Sequence, residues 1–266
     1  MKKPLLIVLT LAMLLPLCAC GEKTATPDSS AGMSNQGKEE MLANASELKL
    51  ADFVKEVEDN KLRAEDTYLN NCYKVTTCVI SIEDGYAKIG SPTPNGYCFN
   101  AYLSTDDLKQ LGRGEKITIV GEIGSLDLVS EEKSVAGTSY TSKSITVEMP
   151  TAYLVTNRYD VTGQIEMYYM MLRDVDGKIK DRTGLESAWY LAIKDKNGTV
   201  FHLENAIPVE HQAGKNVTSI SISETEVNNK ASITLSGKII NKEIQNGGWS
   251  YDSDLLMSDV ELVSIN

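Results

Sequence analysis

The sequence predicts a mainly β protein: two tandem five-stranded barrels behind an export segment, an unstructured tether and a short helix. Three observations predict it. From Tyr73 onward, β-branched residues recur at period two in short runs bounded by turn residues. Landmark segments of the first half return in the second. The 266 residues, 42% of them hydrophobic, can fill two cores of ordinary size.

Residues 1–19 read as a lipoprotein signal peptide. Lys2 and Lys3 form a positive n-region, and residues 5–17 are an apolar run too short for a stable membrane span. The run ends in Leu17-Cys18-Ala19-Cys20, the form of a lipobox, and cleavage before Cys20 would expose that thiol for acylation. An ordinary secretory signal cut near Ala19 is the alternative. Two acyl chains on Cys20 would supply stable anchoring. Residues 20–45 are rich in Gly, Ser, Thr, Asn and Lys with little to bury, which predicts a flexible tether.

Residues 46–157 are expected to hold a helix and the first barrel. Leu48, Leu50, Phe53, Val54 and Val57 recur at helical spacing, so a helix is expected over 47–59 with Ser46 as its N-cap, followed by a short turn over 63–68. Val75, Thr77 and Val79 open a first strand, and Glu83-Asp84-Gly85 turns the chain into a second over 86–89. A third strand is expected at 97–103. Ser104 then caps a compact helix with Asp107 three residues on, ended by Gly112. Residues 116–124 read as a fourth strand, 125–143 as a long polar loop, and 144–155 as a fifth strand. Three strands, a helix and two more strands is the order of an OB barrel.

Residues 158–266 repeat the statement. Tyr73-Lys-Val-Thr is echoed by Tyr159-Asp-Val-Thr, and Ile117-Thr-Ile-Val-Gly121 by Ile233-Thr-Leu-Ser-Gly237. The closing strand over 145–155 is echoed over 255–265. Trp189 to Lys194 and Thr199 to Leu203 flank a turn containing Asn197-Gly198, a hairpin. Gly121 and Gly237 fall inside equivalent strands, where glycine permits the bend that closes a small barrel. Two departures stand out: an insert over 170–187, and a stretch over 205–223 where Pro208 and a strand-like alternation argue against a helix.

The first half resembles a group of bacterial lipoproteins with an OB-fold domain of the tRNA anticodon-binding-like type. The resemblance rests on Asn60 and Ala64-Glu-Asp-Thr-Tyr68, on Tyr73-Lys-Val, and on Leu108-x-x-Leu111-x-x-Gly114-x-x-Ile117-Thr-Ile-x-Gly121. It covers about 50–155, and the second half joins it only through the internal repeat. The resemblance implies a fold and no substrate.

Charge narrows the partners. Lys2 and Lys3 are the only charged residues of 1–19, so the chain beyond carries 24 basic and 37 acidic side chains, a net charge near −13. Such a chain disfavours nucleic acid, whose affinity comes mostly from Lys and Arg neutralising phosphate. Cys72, Cys78 and Cys98 remain after Cys18 and Cys20. Three thiols leave at least one unpaired, with buried free thiols or a Cys78–Cys98 bridge as the alternatives. Nothing in the spacing of Cys and of His202 and His211 points to a metal, and no cofactor is implied.

Catalytic patterns are not found. Glu131-Glu132 and Asp106-Asp107 read as solvated and capping acids, His202 as a packed strand residue and His211 as part of a polar loop. The DVDGK segment at 174–178 lacks the spacing and closing glutamate of a calcium loop.

Recognition remains. OB barrels bind on strands two and three, flanked by the one–two and four–five loops. Trp249 and Tyr251 fall in the four–five loop of the second half, and Tyr140 in that of the first. These aromatics suit stacking, although Trp249 could equally cap its own barrel. Tyr97 and Trp189 lie on strands, as core or as groove wall. The expectation is a lipid-anchored, extracytoplasmic, non-enzymatic module that binds an envelope protein or a glycan. The alternatives are single-stranded oligonucleotide binding outside the cell, by fold analogy, and an envelope hydrolase.

Overall fold

The computed structural model describes residues 35–92, 96–135, 138–169, 189–204, 206, 220–246 and 255–266, within a compact unit that spans Gly32–Asn266. Helix α1 (Asn35–Asn44) occupies the end of the stretch expected to be tether, where the Lys38 ammonium donates to the Leu154 carbonyl. Ser46 does not cap a helix. With Glu47 it forms a two-residue strand β1 (Ser46–Glu47) parallel to β2 (Cys72–Glu83). Helix α2 (Leu50–Asp59) starts after Lys49 with no side-chain cap. What holds it is its apolar face: Phe53 and Val57 are fully buried, each such side chain stabilising the fold by about 1.5–3 kcal/mol. The expected short turn is a second helix, α3 (Lys61–Tyr68), whose first turn is capped by Asn60 Oδ1 accepting from Arg63 N at 3.1 Å. Tyr68 meets Phe53 edge-on at 4.9 Å, so the helix pair closes over the core of the first sheet.

That sheet adds β3 (Tyr86–Gly90), β4 (Tyr97–Ala101), β5 (Lys116–Glu122), β6 (Ser125–Val135), β7 (Thr138–Met149) and β8 (Ala152–Thr156). Its order is β6-β7-β4-β3-β2-β5-β8, with β7 parallel to β4. It is open, which corrects the expectation of two closed barrels. Two local causes are visible. The segment read as a polar loop is a long antiparallel hairpin from Ser125↔Glu148 to Val135↔Thr138, and Leu126 is buried beneath it. The segment read as a single fifth strand breaks at Pro150, which has no N–H to give and leaves β8 on the other edge, beside β5. Where β5 and β7 would close the sheet, Gly124 N donates to Glu148 O at 2.8 Å.

Helix α4 (Thr105–Leu108) forms as its signature predicts, with Ser104 Oγ accepting from Asp107 N. Cys72, Cys78 and Cys98 are free thiols. Cys78 and Cys98 pair from opposite sides with Gly90. One strand therefore separates them, a Cα span of about 10 Å at 4.7–4.9 Å per strand, beyond the reach of a disulfide.

The second lobe is a closed barrel of β9 (Tyr159–Tyr169), β10 (Trp189–Asp195), β11 (Val200–Leu203), β12 (Ser232–Asn241) and β13 (Leu255–Ile265), in the order β10-β11-β13-β12-β9. Strand β13 lies parallel to β11 and antiparallel to β12, a Greek-key crossover like that of the expected OB order. The helix that the sequence reading argued against is present as α5 (Glu224–Asn228), between β11 and β12. Its capping box has Ser223 Oγ accepting from Glu226 N, and Glu226 Oε2 accepting from Ser223 N. Residues 220–223, part of the alternating stretch, are not strand. The insert over 170–187 and the DVDGK segment lie outside the described residues. Gly121 and Gly237 do sit at close approaches: an added Cβ would lie 2.8 Å from Thr151 O and from Ser258 O respectively.

The lobes meet along a bonded seam. Asn241 N donates to Gly114 O at 2.8 Å, Glu115 and Ile240 form an isolated antiparallel bridge, and Arg113 Nε donates to the Ile244 carbonyl of α6 (Lys242–Gln245). Lys238 Nζ lies 3.3 Å from the buried Glu115 carboxylate. Gly114 has φ +83, and a Cβ there would press on Asn241 O at 2.7 Å, so only glycine fits this contact.

Candidate ligand-binding face

The strand period decides which side chains of the first lobe meet solvent. Ala87, Ile89, Phe99, Ala101 and Val147 are fully buried. Their neighbours on β3, β4 and β7 must therefore project from the opposite face. Pairing of Lys88 with Asn100, and of Asn100 with Glu148, sets those three polar residues in one row across the three strands. Beside the row, Tyr86 and Tyr102 stack with ring centroids 5.2 Å apart and planes 31° from parallel. Tyr102 is 41% exposed. Its backbone is pinned on both sides: its N–H donates to Met149 O, and its carbonyl accepts from Ala152 N.

The polar groups hold one another in place. Asn100 Nδ2 donates to Glu148 Oε1 at 2.6 Å, and the Tyr102 hydroxyl also bonds Glu148. The Glu148 charge, with some burial and that hydrogen bond, raises the Tyr102 phenol above its ordinary range. Lys88 Nζ lies 5.9 Å from the Tyr86 ring centroid and 3.4 Å from Glu83 Oε1. Tyr86 and Glu83 raise the Lys88 ammonium, so it keeps its charge. The result is a fixed ring pair beside a carboxylate, an amide and a cation. Rings of this kind take the C–H face of a sugar or another flat apolar surface, while the row offers donors and acceptors to hydroxyls.

Of the residues expected to bind, only Tyr97 has a described side chain, and it is not on this face. Tyr97 turns inward: it packs on the core with its ring edge-on to Phe99 at 5.8 Å and its hydroxyl 3.3 Å from Thr77 Oγ1. Tyr140 lies on strand β7 and not in a loop, and Trp189 opens β10; neither side chain is among those described. Trp249, Tyr251, Cys20 and His211 lie outside the described residues. His202 is buried in mid-strand, as its packing reading expected. Tyr86, Lys88, Asn100, Tyr102 and Glu148 were passed over, although their signal was legible: Tyr86-x-Lys88 and Asn100-x-Tyr102 alternate with small or apolar residues.

Among the described residues, no group of three or more His, Cys, Asp or Glu could hold a metal ion, and no helix is long and apolar enough to cross a membrane. Fold and face together define a mainly β protein with one closed five-stranded barrel and an aromatic–polar face on its other lobe. The chain matches no protein-family model and no curated protein sequence.

Proposed function

We propose that the protein is a lipid-anchored, non-catalytic binding module on the extracytoplasmic side of a bacterial membrane, and that it binds a glycan through the face built by Tyr86 and Tyr102. The observation that carries the ligand reading is the ring pair at 5.2 Å, Tyr102 exposed and Tyr86 half-buried, set against the Lys88–Asn100–Glu148 row. The anchor reading rests on the lipobox ending at Cys20 and on the resemblance to bacterial lipoproteins with an OB-type domain. The Greek-key order of the closed barrel supports an OB-type plan for the second lobe, and the helix in the same place in both lobes extends that plan to the lobe that carries the resemblance. In this reading one sugar lies on the ring pair, and Glu148 and Asn100 bond its hydroxyls.

One experiment tests both halves. Cells expressing the full chain are fractionated, and the membrane-bound protein is titrated with oligosaccharides released from the envelope. The parent chain is expected in the membrane fraction and a Cys20→Ala chain outside it. The Tyr86→Ala/Tyr102→Ala double variant is expected to stay folded and lose glycan binding at least tenfold, about 1.4 kcal/mol. Undiminished binding by the double variant would remove the site, and membrane retention of the Cys20→Ala chain would remove the anchor.

A further inference from the structure

We infer that the outer face of β9 is a second, separate site, which takes a linear phosphate-bearing polymer. A groove of about 1090 Å³ runs along this strand. Its floor is set by the period of β9: Val161 and Ile165 are buried in the barrel, which turns Thr162 and Gln164 outward. Lys194 on β10, Gln164 on β9 and Ser232 on β12 are paired neighbours and form one row across it. The middle of the floor therefore carries the hydroxyl and amide groups of Thr162, Gln164 and Ser232, with Asp160 and Glu166 further along the same face of β9 at either end.

The rim is cationic. Lys194 and Lys196 stand along β10 and its hairpin, Lys230 stands at the turn before β12, and Lys116 reaches in from the first lobe. Among the described residues, Lys194, Lys196 and Lys230 make no ion pair. Three acids also line the groove: Asp160, Glu166 and Asp195. Asp195 is engaged by its own turn, its Oδ1 accepting from Asn197 N and Thr199 N at 2.8 Å each. The groove thus holds four lysines against three acids, on a chain whose formal net charge is −11. The lining is therefore positive by one charge on a chain that is negative overall, which favours an anion there over a cation.

Lysine ammonium groups are compact, strongly hydrated charges that meet phosphate as points. Spaced along an open groove, they fit a chain with a charge at each repeat better than a single small anion. The hydroxyl and amide groups of Thr162, Gln164 and Ser232 fit hydroxyl groups between those charges. A single-stranded nucleic acid would need ring faces for its bases. Tyr159 is held by the first lobe, with Lys116 Nζ over one face of its ring at 4.8 Å and its hydroxyl bonded to Thr118 Oγ1 at 2.9 Å. Phe201, the other aromatic lining residue, is buried at 8% exposure. The inference does not rest on the glycan reading, since the two sites share no residue.

The test uses the detergent-solubilised full chain and three probes: inorganic polyphosphate, poly(glycerol phosphate) and an oligo-dT strand. Binding to either phosphate polymer, weakening as salt is added, is the expected result. If both bind alike, the phosphates alone are read; if poly(glycerol phosphate) binds more tightly, the hydroxyl floor contributes. The Lys194→Gln/Lys196→Gln/Lys230→Gln variant is expected to bind at least tenfold more weakly. Its slope of log affinity against log salt should be shallower by roughly two, at about 0.7 per phosphate contact on a flexible chain. The Lys55→Gln/Lys109→Gln variant, altered on exposed helices, and the Tyr86→Ala/Tyr102→Ala variant should both bind like the parent. No binding to either polymer, equal binding of oligo-dT, an unaffected triple-lysine variant, or loss in the tyrosine variant would each overturn the assignment.

Discussion

Tyr68 shows how a single side chain ties this fold to pH. Burial, then a hydrogen bond to Glu56 Oε2 at 3.0 Å, then the Glu56 charge push its phenol up to about 12. The protonated phenol is favoured in the folded state relative to the ordinary value of 10.0. The stability this gives is complete below pH 10 and is lost as pH rises through about 12. Tyr73, Tyr102 and Tyr159 are raised too, so part of the alkaline loss belongs to them. Urea unfolding followed at rising alkaline pH should show the parent weakening and Tyr68→Phe weakening less. Identical pH profiles for the two would contradict this account. None of it is legible in the sequence, where Tyr68 is one of twelve tyrosines. Its environment is made by α2, and by Phe53 and Glu56 in particular.

Among the elements, legibility followed the range of the signal. Helix α4 is read from Ser104 and Asp107 because a cap is a contact between residues three apart. Helix α5 carries the same kind of signal, Ser223-x-x-Glu226, but it follows Pro208 and an apolar alternation that point away from a helix. Replacing Ser223 with Ala should cost about 1 kcal/mol, read as a lower urea midpoint with an unchanged slope. No change in midpoint would mean that the box contributes nothing. Hairpin β6–β7 reads as loop in the sequence because its strands carry mostly Ser, Thr, Glu and Lys. A two-stranded arm needs only alternate apolar contacts at its base, and Leu126 and Leu128 supply them.

At the scale of the whole molecule, the seam joins two cores that are otherwise separate clusters. The Asn241–Gly114 hydrogen bond, the Glu115–Ile240 bridge and the Lys238–Glu115 pair all cross it. Glu115 is buried with its Oε2 unpartnered, so removing Lys238 would leave that charge uncompensated. The lobes should therefore unfold together in a single transition. Gly114→Val, which drives a side chain into the Asn241 carbonyl from a left-handed backbone, should split it into two. Calorimetry of the parent and the variant checks this; a variant that still melts in one transition would show that the seam does not couple the lobes.

The sequence by itself determined the period of most strands, the position of helix α4, the Asp195–Gly198 turn and the recurrence of one plan in both halves. Each of these is set within a few residues by backbone sterics, caps or the alternation of apolar side chains. Only the tertiary structure decided closure. In the second lobe β13 enters between β11 and β12 and completes a barrel; in the first, the chain breaks at Pro150, and β7 pairs with β4 while β8 pairs with β5 in an open sheet. The same step decided that Tyr97 points into the core while Tyr86 and Tyr102 stack outside it. Register and closure depend on partners far apart in the chain. A shift of one residue in pairing would send every side chain of a strand to the opposite face.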